Sequence, residues 1–208
     1  MQALQFTFIF LILGVAAPLW GQADQFDCAQ SELHQYRLST DAAYREAHKL
    51  VEKKLRQQAL EPARASVLHT LPVVFHIIHD GGVENIPDAQ VEQALQHLND
   101  AFANTGYYDP ATGVDVEIQF CLASRDPDGN ASTGIERVQS ALTSFNYSVD
   151  DQTLKDLSRY EPLEYINIWV VQEICSNNGC GVAGYAYLPA AHGLDYDGIV
   201  VEAGLTGN

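Results

Sequence analysis

The sequence predicts a mixed α/β (α+β) fold, in which helices back one twisted sheet of about five strands. Leu71–Ile78 is a near-continuous apolar run, which is typical of a strand buried on both faces. Within Val114–Leu122 apolar residues alternate strictly with polar ones, which indicates a strand with one buried face. Between these runs, apolar residues recur at helical spacing in Pro87–Phe102, so we expect a helix lying across the sheet.

The first 23 residues predict a secretory signal peptide. Phe6–Leu19 is apolar throughout but shorter than the ~20 residues that a membrane-spanning helix needs. Gly21-Gln22-Ala23 places small residues where signal peptidase requires them, so we expect cleavage after Ala23 and a secreted mature chain without a membrane anchor. No Lys or Arg precedes the apolar run, and an uncleaved anchor therefore remains the alternative.

Residues 24–66 predict a helical region followed by an exposed linker. Ser39-Thr40-Asp41 supplies a capping sequence, and residues 61–66 (EPARAS) break the helical pattern. Four apolar residues recur between them at helical spacing: Tyr44, Ala47, Val51 and Leu55.

Three short β-type runs separated by turn residues follow a partly helical connection at Phe145–Pro162. They are Tyr165–Val171, Val182–Leu188 and Gly198–Glu202. We expect Val182–Leu188 to be the strand at the sheet edge, because its small residues let another backbone approach and an unpaired edge can bind an extended peptide. A bulge relieved by glycine is the alternative.

Three patterns invite a metal interpretation. His76 and His79 are three residues apart on a predicted strand, so they project to opposite faces and do not chelate one ion together. Residues 126–130 (DPDGN) resemble the start of a calcium loop, but the glycine and the glutamate positions of such a loop do not match, which favours a tight turn. For Cys175 and Cys180 we expect a disulfide, with zinc binding as the alternative.

The amino-acid composition argues against some classes of function. The chain has 47% hydrophobic residues, enough for a real core, and a formal net charge of −16. A chain this acidic argues against nucleic-acid and anionic-membrane partners, because it cannot neutralise phosphates.

Six segments occur in the order found in the pappalysin family of secreted zinc endopeptidases, within the metzincin clan, which the chain resembles over roughly Leu71–Gly204. These segments are LPVVFHIIHDGG, IPDAQVEQALQHLNDAF, VEIQFCLASRDPDGN, YINIWVV, GVAGYAYLP and DGIVVE. The resemblance implies that residues 67–208 are the N-terminal part of a catalytic domain and that residues 24–66 are a pro-segment. In the family, a helix with the H-E-x-x-H motif follows the strand matching Asp197–Glu202.

No histidine of this chain is followed by glutamate. The resemblance therefore implies that the zinc ligands lie beyond Asn208 and that the chain alone is inactive. Apart from this resemblance, calcium stays open as a second cofactor. In the family, the matching strand holds the substrate. The resemblance therefore implies that four residues bind a protein or peptide substrate: Gly184, Tyr185, Ala186 and Tyr187. Cys28 lies where a family cysteine occupies the zinc before activation, although the usual glycine after it is Ala29 here; a disulfide is the alternative.

Two functions remain after this reasoning. The first is the N-terminal part of a secreted zinc-dependent metalloendopeptidase precursor, which hydrolyses peptide bonds in proteins. The alternative is a non-catalytic secreted α/β module that binds protein or glycan through exposed aromatic residues, namely Tyr185, Tyr187 and Tyr196. An H-E-x-x-H helix in the sequence downstream would separate the two.

Overall fold

A computed structural model describes residues 27–58, 67–108 and 111–207, with the backbone alone at 27 and 28. The predicted signal peptide and the predicted linker at residues 61–66 lie outside the described residues. None of the helices in the described part is long and apolar enough to cross a bilayer.

The elements follow one another as ten strands and four α-helices in the described ranges. In chain order they are β1 (Asp27–Cys28), α1 (Gln30–Thr40), α2 (Ala42–Gln58), β2 (His69–His79), α3 (Asp88–Phe102), β3 (Ile118–Leu122), β4 (Ile135–Gln139), β5 (Ser144–Asn146), α4 (Tyr147–Asp156), β6 (Ile166–Val171), β7 (Glu173–Ser176), β8 (Gly179–Cys180), β9 (Val182–Ala186) and β10 (Ile199–Glu202).

One mixed sheet of seven strands organises the described part of the chain, which confirms the predicted fold class. Its strand order is β1-β9-β10-β6-β2-β3, and β4 pairs with the C-terminal half of β2 on the same side as β3. Every pairing in it is parallel except the antiparallel pairing of β9 with β10. A small second sheet joins β5, β7 and β8.

Strand β2 is the centre of the sheet, as its apolar sequence predicts. Val73–Ile78 is buried throughout, because strands flank β2 on both sides and helices or loops cover both faces. Its alternate residues Val73, Phe75 and Ile77 pack in one apolar cluster with α3, whereas Ile78 packs in another with α1 and α4. The sheet therefore has two covered faces.

Helix α3 lies on the sheet as its apolar stripe predicts. Pro87 precedes the first turn with an extended backbone, and Asp88 begins the helix. Val91 is fully buried against the cluster that contains Phe75, and the remaining stripe residues are partly buried there: Ala94, Leu95, Leu98 and Phe102.

The predicted strand at Val114–Leu122 is wrong in its first half. Strand β3 begins only at Ile118, because Glu117 has a positive φ of 56° and its amide donates to Asp115 Oδ1. The amide of Val116 donates to the carbonyl of Phe102, at the end of α3, and not to a strand. Val114 is consequently 75% exposed, despite its place in the alternating pattern.

The sequence predicts neither β4 nor α1 as a separate element. Strand β4 has no fully buried residue, and Leu33 is the one buried residue within α1, so neither element shows a clear apolar pattern. The start predicted for α2 is confirmed, because Asp41 Oδ1 accepts a hydrogen bond from the Tyr44 amide at 3.0 Å. The stripe predicted on α2 is buried at Tyr44 but not at Leu55, which is 55% exposed.

Candidate functional site

Strand β9 contains three of the four residues assigned to peptide binding. It pairs with β10 on one side and with the short strand β1 on the other, where Val182 lies opposite Asp27 and Gly184 opposite Cys28. The prediction that this strand is the free edge of the sheet is therefore wrong for this chain. A segment from the predicted pro-segment region covers the edge.

Glycine is needed at position 184 because β10 approaches closely. A Cβ atom there would lie 2.8 Å from the carbonyl oxygen of Val200. The register with β1 also shifts at this point, as the bulge alternative expected. The small side chain thus makes room for a neighbouring strand of the same chain.

The remaining three residues divide between the core and a groove. Tyr185 is 3% exposed and belongs to the cluster shared with α1 and α4. Ala186 and Tyr187 line a groove of about 440 Å³, together with Leu163, His192 and Asp197. The predicted set is therefore not a single surface.

The two cysteine predictions have different outcomes. Cys175 and Cys180 form the expected disulfide, which closes the β7–β8 hairpin. The backbone of Cys28 lies beside β9, but its side chain is outside the described part of the structure, so its predicted role as a latency ligand stays a prediction. Cys121 is exposed and has a free thiol.

None of the metal patterns forms a zinc or calcium site among the described residues. His76 is fully buried, hydrogen-bonded to Ser158 Oγ and Asn167 Oδ1, and burial lowers its pKa to about 4. Both carboxylate oxygens of Asp126 accept hydrogen bonds from Asn130, as expected of a tight turn.

The histidine that lines the groove lies close to a carboxylate. His192 Nδ1 lies 3.6 Å from Asp197 Oδ2, and burial raises the pKa of Asp197. The one trio of potential ligand atoms in the described ranges is Glu173, Cys175 and Cys180, whose sulfur atoms are already joined in the disulfide. The residues that the structure describes therefore do not fit zinc.

A buried polar cluster, which we call the Asp151 cluster, joins α4 to the end of β9. Asp151 Oδ1 accepts hydrogen bonds from Tyr185 Oη at 2.6 Å and Lys155 Nζ at 2.8 Å. Asp151 Oδ2 accepts one from Tyr187 Oη at 2.7 Å. Lys155 Nζ also donates to the carbonyl of Tyr196 at 2.7 Å. These three tyrosines, with Asp151 and Lys155, define the cluster.

Electrostatics in this cluster are set by burial and by one carboxylate. Lys155 is fully buried, and the loss of solvation lowers its pKa to about 8 although Asp151 favours its charged form. Burial, together with the charge of Asp151, raises the pKa of both Tyr185 and Tyr187. Asp151 and Lys155 thus share a site from which water is largely excluded.

The predicted pro-segment region contacts this cluster, in addition to pairing β1 with β9 and packing Tyr44 against Ala190 and Ala191. Arg37 of α1 places its guanidinium 3.7 Å from the ring centre of Tyr196, and its Nη2 donates to Tyr187 Oη at 3.2 Å. Asp41 Oδ2 accepts a hydrogen bond from Tyr196 Oη at 2.8 Å. The segment also buries Leu33 against the sheet.

Sequence reasoning missed this cluster and misjudged its tyrosines. Tyr185 and Tyr196 are 3% and 7% exposed, so they do not form the exposed aromatic surface that the binding-module alternative required. One signal was present: Asp151 and Lys155 share a helix face, and Tyr185 and Tyr187 share a strand face. Nothing in the sequence showed that the two faces meet.

Comparison with known proteins gives structural relatives only. No protein-family model matches the chain, and no curated protein matches it. Among solved structures, a mutant of promirolysin from Tannerella forsythia is similar, with a TM-score of 0.66 and 26% identity over 87% of this chain and 61% of that one.

The mature form of the same protein is also similar. Tannerella forsythia mature mirolysin in complex with a cleaved peptide has a TM-score of 0.58 and 29% identity, over 69% of this chain and 56% of that one. Mirolysin in complex with compound 9 has a TM-score of 0.55 at the same identity. This chain thus spans roughly three fifths of the relatives it matches, and it has a metzincin-like, metalloprotease-like fold.

Proposed function

We propose that this chain is the N-terminal part of a secreted zinc-dependent metalloendopeptidase precursor of the pappalysin family, with residues 1–23 as signal peptide and residues 24–66 as pro-segment. The observation that carries the proposal is the likeness to promirolysin over 87% of the chain. The likeness to mature mirolysin covers only 69% of this chain. The two shares differ by about 37 of the 208 residues. That difference is close to the length of the proposed pro-segment.

In this proposal the pro-segment blocks the peptide-binding edge. Strand β1 occupies the backbone hydrogen-bonding groups of β9 near Val182 and Gly184, so an extended peptide cannot pair there while β1 is in place. Its departure would return an unpaired edge. The relative with a bound cleaved peptide is the mature form, which supports this order of events.

The contribution of the described residues is to position a peptide, because they do not fit zinc. Zinc would polarise the scissile carbonyl, and its ligands would have to come from outside the described residues. Strand β9 would then hold the peptide backbone, and Ala186, Tyr187 and the groove beside them would contact its side chains. No described residue supports a calcium site.

Two proteins test this proposal: residues 24–208 alone, and the natural full-length product before and after removal of residues 24–66. We expect the processed full-length protein to contain one zinc per chain and to cleave an unfolded protein in a chelator-sensitive way. The unprocessed protein is the matched control and should cleave more slowly. Stoichiometric zinc with cleavage by residues 24–208 alone, or no cleavage by the processed protein, would overturn the proposal.

A further inference from the structure

Three residues surround the Arg37 guanidinium, namely Asp151, Tyr187 and Tyr196, and we call them the Arg37 seat. Their composition is that of a guanidinium-binding site. One wall is the ring of Tyr196, 3.7 Å from the guanidinium carbon, and a second is the ring of Tyr187, at 5.3 Å. Asp151 Oδ2 lies 3.5 Å from Arg37 Nη2. The three seat residues belong to the body of the fold, whereas their occupant belongs to the helical segment at residues 27–58.

Contacts within the body hold the seat in place without Arg37. Asp151 is fixed by Tyr185, Tyr187 and Lys155, at distances from 2.6 to 2.8 Å. The rings of Tyr187 and Tyr196 pack with their centres 4.8 Å apart, and the backbone carbonyl of Tyr196 accepts from Lys155. A ligand would therefore meet a preorganised site.

Arg37 fills this seat incompletely. Its 3.5 Å contact with Asp151 is longer than the ~2.7–2.9 Å of a charge-assisted hydrogen bond. Its Nε atom is buried and donates to no atom of the described residues. A pocket of about 310 Å³ adjoins the seat between α1 and α4, with Tyr36, Asp151 and Gln152 in its lining. A guanidinium that is not tied to α1 has room to approach Asp151 more closely.

Charge favours a cationic ligand over an anionic one. Lys155 is fully buried and already bound to Asp151 and a carbonyl, so the groups that a ligand can reach are a carboxylate oxygen and two aromatic faces. Residues 67–208 hold 20 of the 27 acidic residues and four of the eleven Lys and Arg residues, and so carry the whole net charge of −16. This field attracts cations.

We propose that Asp151, Tyr187 and Tyr196 form a binding site for the guanidinium of arginine, which Arg37 occupies in this chain. The planar group stacks on the tyrosine rings while its N–H groups donate to Asp151, a geometry that suits a guanidinium better than an ammonium group. The site lies on the sheet face opposite α3. It does not depend on the proposed peptidase function.

The test opens the seat in the full chain with Arg37→Ala and titrates ligands calorimetrically. Nα-acetyl-arginine amide represents the arginine of a peptide, and L-arginine represents the free amino acid. We expect saturable binding of at least one of them to Arg37→Ala, at least about tenfold weaker binding to the unaltered protein, and at least about fivefold weaker binding of Nα-acetyl-lysine amide. The tighter of the two arginine ligands identifies the natural source.

Two further variants locate the bound ligand. In the Arg37→Ala background, Tyr196→Leu removes one aromatic wall and Asp151→Asn removes the charge, and each should weaken binding by at least about fivefold. Arg37→Met, which keeps the aliphatic stem, replaces Arg37→Ala if the latter does not melt cooperatively. Equal binding by the unaltered and opened proteins, or binding that neither further variant weakens, would overturn the proposal.

Discussion

The two faces of the seven-stranded sheet are built from different interactions. On the face under α3, Val91 packs against the apolar cluster that includes Phe75 and Ile77. The opposite face also has an apolar cluster, but it carries the buried ions Asp151 and Lys155 beside it. The segment at residues 27–58 attaches to this second face.

This difference indicates which face of the sheet can release a segment that is bound to it. Apolar burial adds up over area, so the loss of one side chain removes only the part of it that this side chain covered. A buried ion pair is cooperative, because the removal of one member leaves the other without a partner in a medium of low dielectric constant. The α3 face therefore stabilises the fold whether or not the segment at residues 27–58 is bound. The Asp151 cluster helps to fix the position of that segment, which contributes Arg37 and Asp41.

The largest expected effect comes from the apolar face. Phe75→Ala should lower the free energy of unfolding by about 4 kcal/mol, because it removes a buried ring and leaves a cavity beside α3. Denaturant unfolding measures the change. Val83→Ala is the control, since Val83 is 91% exposed and its truncation should change little. Equal stability of the two variants would contradict this account of the α3 face.

The second prediction concerns the charge of Asp151. Asp151→Asn should cost about 3 kcal/mol, because it leaves the buried Lys155 ammonium without its counter-ion. It should also raise the rate at which a protease cleaves within residues 30–58, which Phe75→Ala should not do selectively. A loss of stability with unchanged cleavage in this segment would show that the cluster does not hold it.

The two faces also differ in how far the sequence predicted them. The α3 face followed from local patterns, because the stripe from Val91 to Phe102 and the apolar run of β2 each repeat with the period of their own element. The Asp151 cluster did not, since its members come from α4, β9 and the segment after β9, and only the tertiary fold brings them together. The first half of Val114–Leu122 failed for a related reason, namely that Phe102 competes for the Val116 amide.

The third prediction uses the pH dependence of stability to distinguish the two faces of the sheet. His76 lies on the face opposite α3, where its ring stacks on Trp169. Burial lowers its pKa from 6.5 to about 4, so between these values the unfolded chain binds a proton that the folded chain does not. Stability from this group is complete above pH 6.5 and falls as the pH drops to 4, by about 2–3 kcal/mol. In His76→Gln, the loss of stability across this range should be smaller by that amount; an identical pH profile would contradict the assignment.

The smallest predicted effect concerns the hydrogen bond between Tyr196 and Asp41, which links the segment at residues 27–58 to the rest of the chain. Tyr196→Phe keeps the ring beside Arg37 but removes the hydrogen bond to Asp41, at a cost of about 1 kcal/mol. Thermal unfolding measures it, with Tyr107→Phe as the exposed control. A cost as large as that of Asp151→Asn would mean that Asp41, and not the Asp151 cluster, is the main attachment.

Hydrogen exchange of β9 is the most direct test of the central claim that residues 27–58 are a detachable cover of a peptide-binding edge. The native protein would be cleaved within residues 59–66, the released segment removed, and amide exchange compared before and after. We expect protection at Val182–Gly184 to fall by about tenfold or more while Val73–Ile78 stays protected. Unchanged protection at β9, or an equal loss of protection in β2, would contradict the claim.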